Sequence, residues 1–150
     1  MTPIQIVIIA VITAGLAALM IRAVVTRRRA RPMDLNENGE AFEDYLAALL
    51  EGCGFTEIGF TSRSGDYGAD LLAEKEDVTY AIQCKYYDGP VGVKAVQEAI
   101  GGRIFYHRHV GVVATNNYFT QNAREMAERA GIILWDRDKM IAMEERAGVK

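Results

Sequence analysis

Two runs of alternating residues, "ADLLAE" (69–74) and "TYAIQCKYY" (79–87), flank a short polar break, "KEDV" (75–78). Such alternation predicts two strands of an antiparallel hairpin. A turn centred between Glu76 and Asp77 places Asp70 opposite Gln83. Directly opposed residues project to one face of the pair, and Lys85, two residues beyond Gln83, shares that face. The other face carries Leu71, Ala73, Tyr80, Ile82 and Cys84, which is a core face. A register slip of one residue would exchange the two sets. The hairpin therefore brings three polar side chains, Asp70, Gln83 and Lys85, together at the edge of a core.

That trio suits one kind of chemistry. A carboxylate such as Asp70 holds a hard divalent cation through oxygen, and the Gln83 carbonyl is a neutral second ligand. A lysine beside them positions attacking water and neutralises charge on a phosphate, while a bound cation polarises a phosphodiester and acidifies water. A further carboxylate is available in "EAFEDYLAALLEGCG" (40–54). Read as a helix, this segment puts Phe42, Leu46, Leu49 and Leu50 on one face, with Gly52 or Gly54 near its end. Glu43 lies about 20° from Leu50 in projection, at the edge of the apolar stripe, where it can reach the same site. The expected metal ligands are Asp70, Gln83 and Glu43, the cation Mg²⁺. A structural polar network is the plainer alternative for the trio.

Around the hairpin the chain alternates in type. "FTEIGFT" is a short strand, "VGVKAVQEAIGGRIFYH" a helix, "VGVVAT" a buried strand, "TQNAREMAERAG" a helix with Thr120 as N-cap and Gly131 as C-cap, "IILW" a second buried strand, and "DKMIAMEERAG" a last helix begun near Asp136 and Asp138. The order α-β-β-β-α-β-α-β-α predicts an α/β domain: a mixed sheet with helices on both faces. Lys94 and Gln97, three apart on the second helix, and Thr115 and Asn116, at the end of a central strand, are candidate substrate contacts. Turn chemistry explains "TNN" (115–117) equally well. Asp66 between Gly65 and Tyr67 reads as a turn former, with Gly65 and Gly68 permitting the loop. Gly101 and Gly102 read as close packing on the sheet; no phosphate-binding G-x-x-x-x-G-K pattern exists. Trp135 reads as core, Cys53 and Cys84 as buried thiols of a reducing compartment, and His107 and His109 as ordinary residues at a helix–strand junction.

The N-terminus is of another character. "IQIVIIAVITAGLAALMIRAVV" (4–25) is apolar apart from Gln5, Thr13 and Arg22. As a helix it would span roughly 33 Å, about a bilayer core. "MTPIQ" lacks a basic n-region and no convincing cleavage site follows, so a membrane anchor is expected over residues 1–26 rather than a cleaved leader. Arg22, Arg27, Arg28, Arg29 and Arg31 all flank its C-terminal end, which places the remaining chain in the cytoplasm as a single-pass protein. Residues 27–38 are a basic linker, 39–146 the folded domain and 147–150 a tail. Beyond the five arginines, 12 basic residues face 20 acidic ones, a net of −8. That is not the basic footprint usual for a nucleic-acid binder.

In order, "GEAFEDYLAALLEGCGF", "SGDYGADLLAE", "AIQCKYY", "VGVKAVQEAIGG" and "GVVATNNYFTQNAREMAERAGIILWDRDKM" resemble the catalytic domain of Mrr-type restriction endonucleases, within the PD-(D/E)XK nuclease superfamily. The resemblance covers about residues 39–142. It implies the restriction-endonuclease-like fold and Mg²⁺-dependent DNA cleavage, with Asp70 as central acid, Gln83 and Lys85 as the Q-x-K pair and Glu43 as helix acid. Gln83 stands where the superfamily usually has an acid; the Mrr-like branch commonly has glutamine there. The expected partners are DNA, the membrane through the N-terminal helix, and a second copy of the chain. Two rival readings stand beside this one: an inactive membrane-tethered module binding DNA or protein, and a nuclease acting on RNA or branched DNA.

Overall fold

A computed structural model describes residues 39–61 and 67–148. The anchor, the linker, Gly65, Asp66 and the last two residues of the tail lie outside these. No helix among the described residues is long and apolar enough to cross a membrane. The elements are α1 (Gly39–Gly52), β1 (Thr56–Phe60), β2 (Leu71–Lys75), β3 (Val78–Lys85), α2 (Val93–Phe105), β4 (Val110–Thr115), α3 (Gln121–Ala130), β5 (Ile132–Trp135) and α4 (Arg137–Ala147). Their order is the expected one.

The sheet runs β1-β2-β3-β4-β5. The first three strands are antiparallel, and β3, β4 and β5 are parallel. This follows from the connections: a tight turn can only reverse a strand, whereas α2 and α3 carry the chain back for parallel pairing. Leu71 pairs with Ile82, Ala73 with Tyr80 and Lys75 with Val78, the register that the alternation predicts. The strands run further into "KEDV" than expected, leaving a two-residue loop. Glu76 and Asp77 both have positive φ, 53° and 63°. Two left-handed residues match the twist of the flanking strands.

Each face of the sheet has its own core. Phe42, Leu46, Leu49 and Leu50 of α1 and Met140 and Met143 of α4 pack on Leu71, Ala73, Ile82, Val112, Ala114 and Trp135. On the opposite face Ala95, Val96 and Ala99 of α2 and Ala123 and Ala127 of α3 pack on Val113 and Ile132. Strand β4 is central, so its continuous apolar run is buried on both sides. Strand β5, expected to be buried like β4, is an edge strand. Ile133 is 44% exposed, because β5 is outermost and has β4 alone as its neighbour.

The helix ends follow side-chain chemistry. Thr120 Oγ1 accepts from Ala123 N, and Gly131 closes α3 with φ 65°. Asp136 caps α4 by accepting from Lys139 N. Gly101 and Gly102 pack tightly, but against the segment entering β2 rather than the sheet itself. A Cβ on Gly102 would lie 2.4 Å from Gly68 O and 2.8 Å from Ala69 Cβ. Gly68, at φ 92°, is pressed on α2 in turn: a Cβ there would lie 2.0 Å from Glu98 O. This double glycine contact fixes α2 against the residues that lead into Asp70.

Candidate active site

Asp70 stands one residue before β2 and is held from both sides by its backbone. Its N–H donates to Ile82 O at 2.8 Å, and its carbonyl accepts from Thr61 N at 2.9 Å. The hairpin ladder thus continues one step past the strand, which sets Asp70 against Gln83. Gln83 Nε2 donates to Asp70 Oδ2 at 2.5 Å, and Cys84 N donates to the same oxygen at 2.6 Å. Bonds from N–H groups to a carboxylate are the stronger kind and favour its charged form. Gln83 is buried. It turns its amide nitrogen to Asp70 Oδ2, so its carbonyl would have to turn over to ligate a cation beside that oxygen.

Lys85 lies on the same side of β3 as Gln83, which is the side covered by α2. Its ammonium is 2.7 Å from Glu98 Oε2, with both side chains largely shielded at 18% and 29% exposure. Burial alone would lower the Lys85 pKa. The close approach and charge of Glu98 outweigh it, with smaller help from Tyr87 and Asp70, and the ammonium is held above the ordinary lysine value. Glu98 Oε2 is buried and makes no directed hydrogen bond. The contact is therefore best described as a close ion pair. Glu98 Oε1 faces Lys94, one helical turn back, at 3.9 Å.

Glu98 was not among the residues expected at the site. A signal for it exists in the sequence: it lies three residues after Ala95 and four before Gly102, both buried, on the inward stripe of α2. An acid on a buried stripe needs a partner.

Glu43 is half-buried on α1. Phe42 beside it stacks on Tyr45, ring centroids 6.1 Å apart, and meets Tyr86 at a tilt, 5.9 Å away, which fixes this turn of α1 over the end of β3. Helix α1 packs on the face of β3 that carries Cys84, opposite the one that carries Gln83 and Lys85. Burial first, then the charges of Asp70 and Glu43, push the Cys84 thiol well up, with Lys85 opposing. The two carboxylates thus act on one thiol at the junction of β2, β3 and α1.

The remaining candidates separate. Lys94 is 89% exposed, and Gln97 is also exposed, so both are open to a large ligand approaching α2. Thr115 and Asn116 are buried. Asn116 Oδ1 accepts from Tyr87 N at 2.9 Å and its Nδ2 donates to Tyr87 O at 3.1 Å; Thr115 Oγ1 accepts from Asn117 N at 3.2 Å. These groups are committed to clamping the segment after β3, and the turn reading of "TNN" accounts for them better than substrate contact does. His109 Nδ1 likewise bonds Thr79, at the far end of β3 from Lys85.

Among the described residues no group of three or more His, Cys, Asp or Glu side chains is gathered as a metal cage. Mg²⁺ does not ask for one: it is commonly held through one or two carboxylates and completes its shell with water and phosphate oxygens. A site with the Asp70 carboxylate and Gln83 in contact, and Glu43 on the neighbouring helix α1, offers ligands of that type.

The chain matches the Mrr catalytic-domain model, described as restriction endonuclease, over residues 35–143. No curated protein sequence matches it significantly. Among solved structures, it resembles the DNA modification-dependent restriction endonuclease AspBHI, with TM-score 0.59 and 25% identity, over 85% of this chain and 35% of that one. A crystallised protein of unknown function shares the fold, with TM-score 0.58 and 24% identity, over 69% of this chain and 63% of that one. The chain thus spans less than two thirds of either protein.

Proposed function

Because the chain belongs to the Mrr catalytic family of restriction endonucleases, we propose that it hydrolyses phosphodiester bonds of DNA with a divalent metal, most simply Mg²⁺. The observation that carries this reading is the contact of Asp70 with Gln83, with Lys85 on the same side of the sheet. Asp70 and Glu43 would hold the cation, and Gln83 would orient it or its water. The metal, when bound, supplies charge for the phosphate and acidified water. Lys85, paired with Glu98, is an ammonium at neutral pH. It donates hydrogen bonds and positive charge to the phosphate and the attacking water, and does not accept the proton. Exposed Lys94 and Gln97 would meet the DNA backbone.

The N-terminal apolar run and its one-sided arginines support a second part of the proposal, a single-pass anchor with the nuclease domain in the cytoplasm. The net charge of −8 beyond the arginines favours a rival, a tethered binding module that does not cut. A nicking assay on supercoiled plasmid separates the two. Mg²⁺-dependent cleavage supports the nuclease; retention of DNA with no cleavage at any Mg²⁺ concentration supports the rival. Parallel RNA and branched-DNA substrates identify the preferred polymer.

A further inference from the structure

We propose that Glu98 is the positioning residue of the site, holding the Lys85 ammonium in place for the phosphate. The inference rests on the nuclease reading above and adds a residue to it.

Three features carry it. First, the two oxygens of Glu98 are distinguished: Oε2 meets Lys85 at 2.7 Å, and Oε1 faces exposed Lys94 at 3.9 Å. The carboxylate is oriented between an inner and an outer cation. Second, the backbone of Glu98 is locked to the chain entering Asp70. Gly68 has φ 92° and leaves no room for a Cβ against Glu98 O. The acid that holds Lys85 and the acid that would hold metal are thus fixed relative to each other. Third, Lys85 shares its face of β3 with Gln83, which contacts the Asp70 carboxylate. A lysine on a flexible stem beside that carboxylate would be drawn to it, taking up charge that a cation needs. Pairing with Glu98 gives the ammonium a partner of its own and keeps the two roles apart.

The test uses full-length protein, supercoiled plasmid and saturating Mg²⁺, with Glu98→Gln and Glu98→Asp. Glu98→Gln keeps shape and removes charge. It is expected to lower kcat by about 100-fold, the scale of a small misplacement of a catalytic group, with KM within about threefold and a melting temperature lower by about 5 °C. Glu98→Asp, which keeps the charge but shortens the reach, recovers about tenfold of that loss and stays about tenfold below wild type. A merely structural ion pair would give the same melting shift and leave kcat of the folded fraction alone. Wild-type kcat in Glu98→Gln overturns the role of Glu98 while leaving the nuclease reading intact. If Glu98→Gln does not fold, Glu98→Asp decides: a reduced kcat at unchanged KM supports the role, and wild-type kcat overturns it. Absence of cleavage by wild type overturns the nuclease reading, and this inference with it.

Discussion

Gln83 Nε2 lies 2.5 Å from Asp70 Oδ2, across a hairpin whose loop is two residues long. The contact explains why a neutral amide serves where a second carboxylate would meet its own charge. Gln83→Glu removes the donor and sets two anions side by side in a buried place. It should cost about 1–3 kcal/mol of stability without metal. Added Mg²⁺ should return part of that loss. Thermal melts with and without Mg²⁺ check this, and melts equal to wild type in both conditions would show that the pair carries no charge.

The glycine contact between α2 and the Asp70 segment should be intolerant of any side chain. Gly68→Ala would place a methyl 2.0 Å from Glu98 O at a φ of 92°. Its expected cost is about 3 kcal/mol or more, combining overpacking with left-handed strain. Denaturant titration measures it. Gly39→Ala, where a Cβ would meet nothing within 4 Å, is the control and should change little.

The Lys85–Glu98 pair makes a prediction about pH. The folded state raises the Lys85 pKa above the ordinary 10.5, so it binds more protons than the unfolded chain in that range. The stabilisation is fully present below the unfolded value and is lost as pH rises through the folded one. Wild type should exceed Glu98→Gln in stability by about 1 kcal/mol at neutral pH, a modest figure because water still reaches the pair. The gap should close only above pH 10.5. A gap that closes near neutrality would contradict the pairing.

The apolar run at residues 4–25 predicts that the full-length chain sediments with membranes and resists alkaline carbonate extraction. Recovery of the full-length chain in the soluble fraction would rule the anchor out.

Much of the hairpin was legible because alternation and turn position constrain each other: one residue of slip would have buried Lys85 among Leu71 and Ile82. The caps at Thr120 and Asp136 were legible for the same local reason. The stripe of α2 marks Glu98 as an acid in need of a partner but not which one, since that partner sits 13 residues away on another element and the pairing appears only when α2 docks. Thr115 and Asn116 were ambiguous because a strand end serves ligands and turns alike; Asn116 pairs with both polar groups of the Tyr87 backbone, as a turn residue does. The exposure of Ile133 was likewise hidden, because a short apolar strand reads the same at the centre of a sheet as at its edge.

The most direct test is cleavage of supercoiled plasmid by full-length wild type, Asp70→Asn and Lys85→Ala, each with and without Mg²⁺. Wild type should nick or linearise the plasmid only with Mg²⁺. Lys85→Ala should remain folded and lose about 3 kcal/mol of transition-state stabilisation, roughly a hundredfold or more in rate. Asp70→Asn should fail through metal binding and be partly rescued by excess Mg²⁺. A wild type with no Mg²⁺-dependent cutting, or an active enzyme indifferent to Lys85→Ala, would contradict the account.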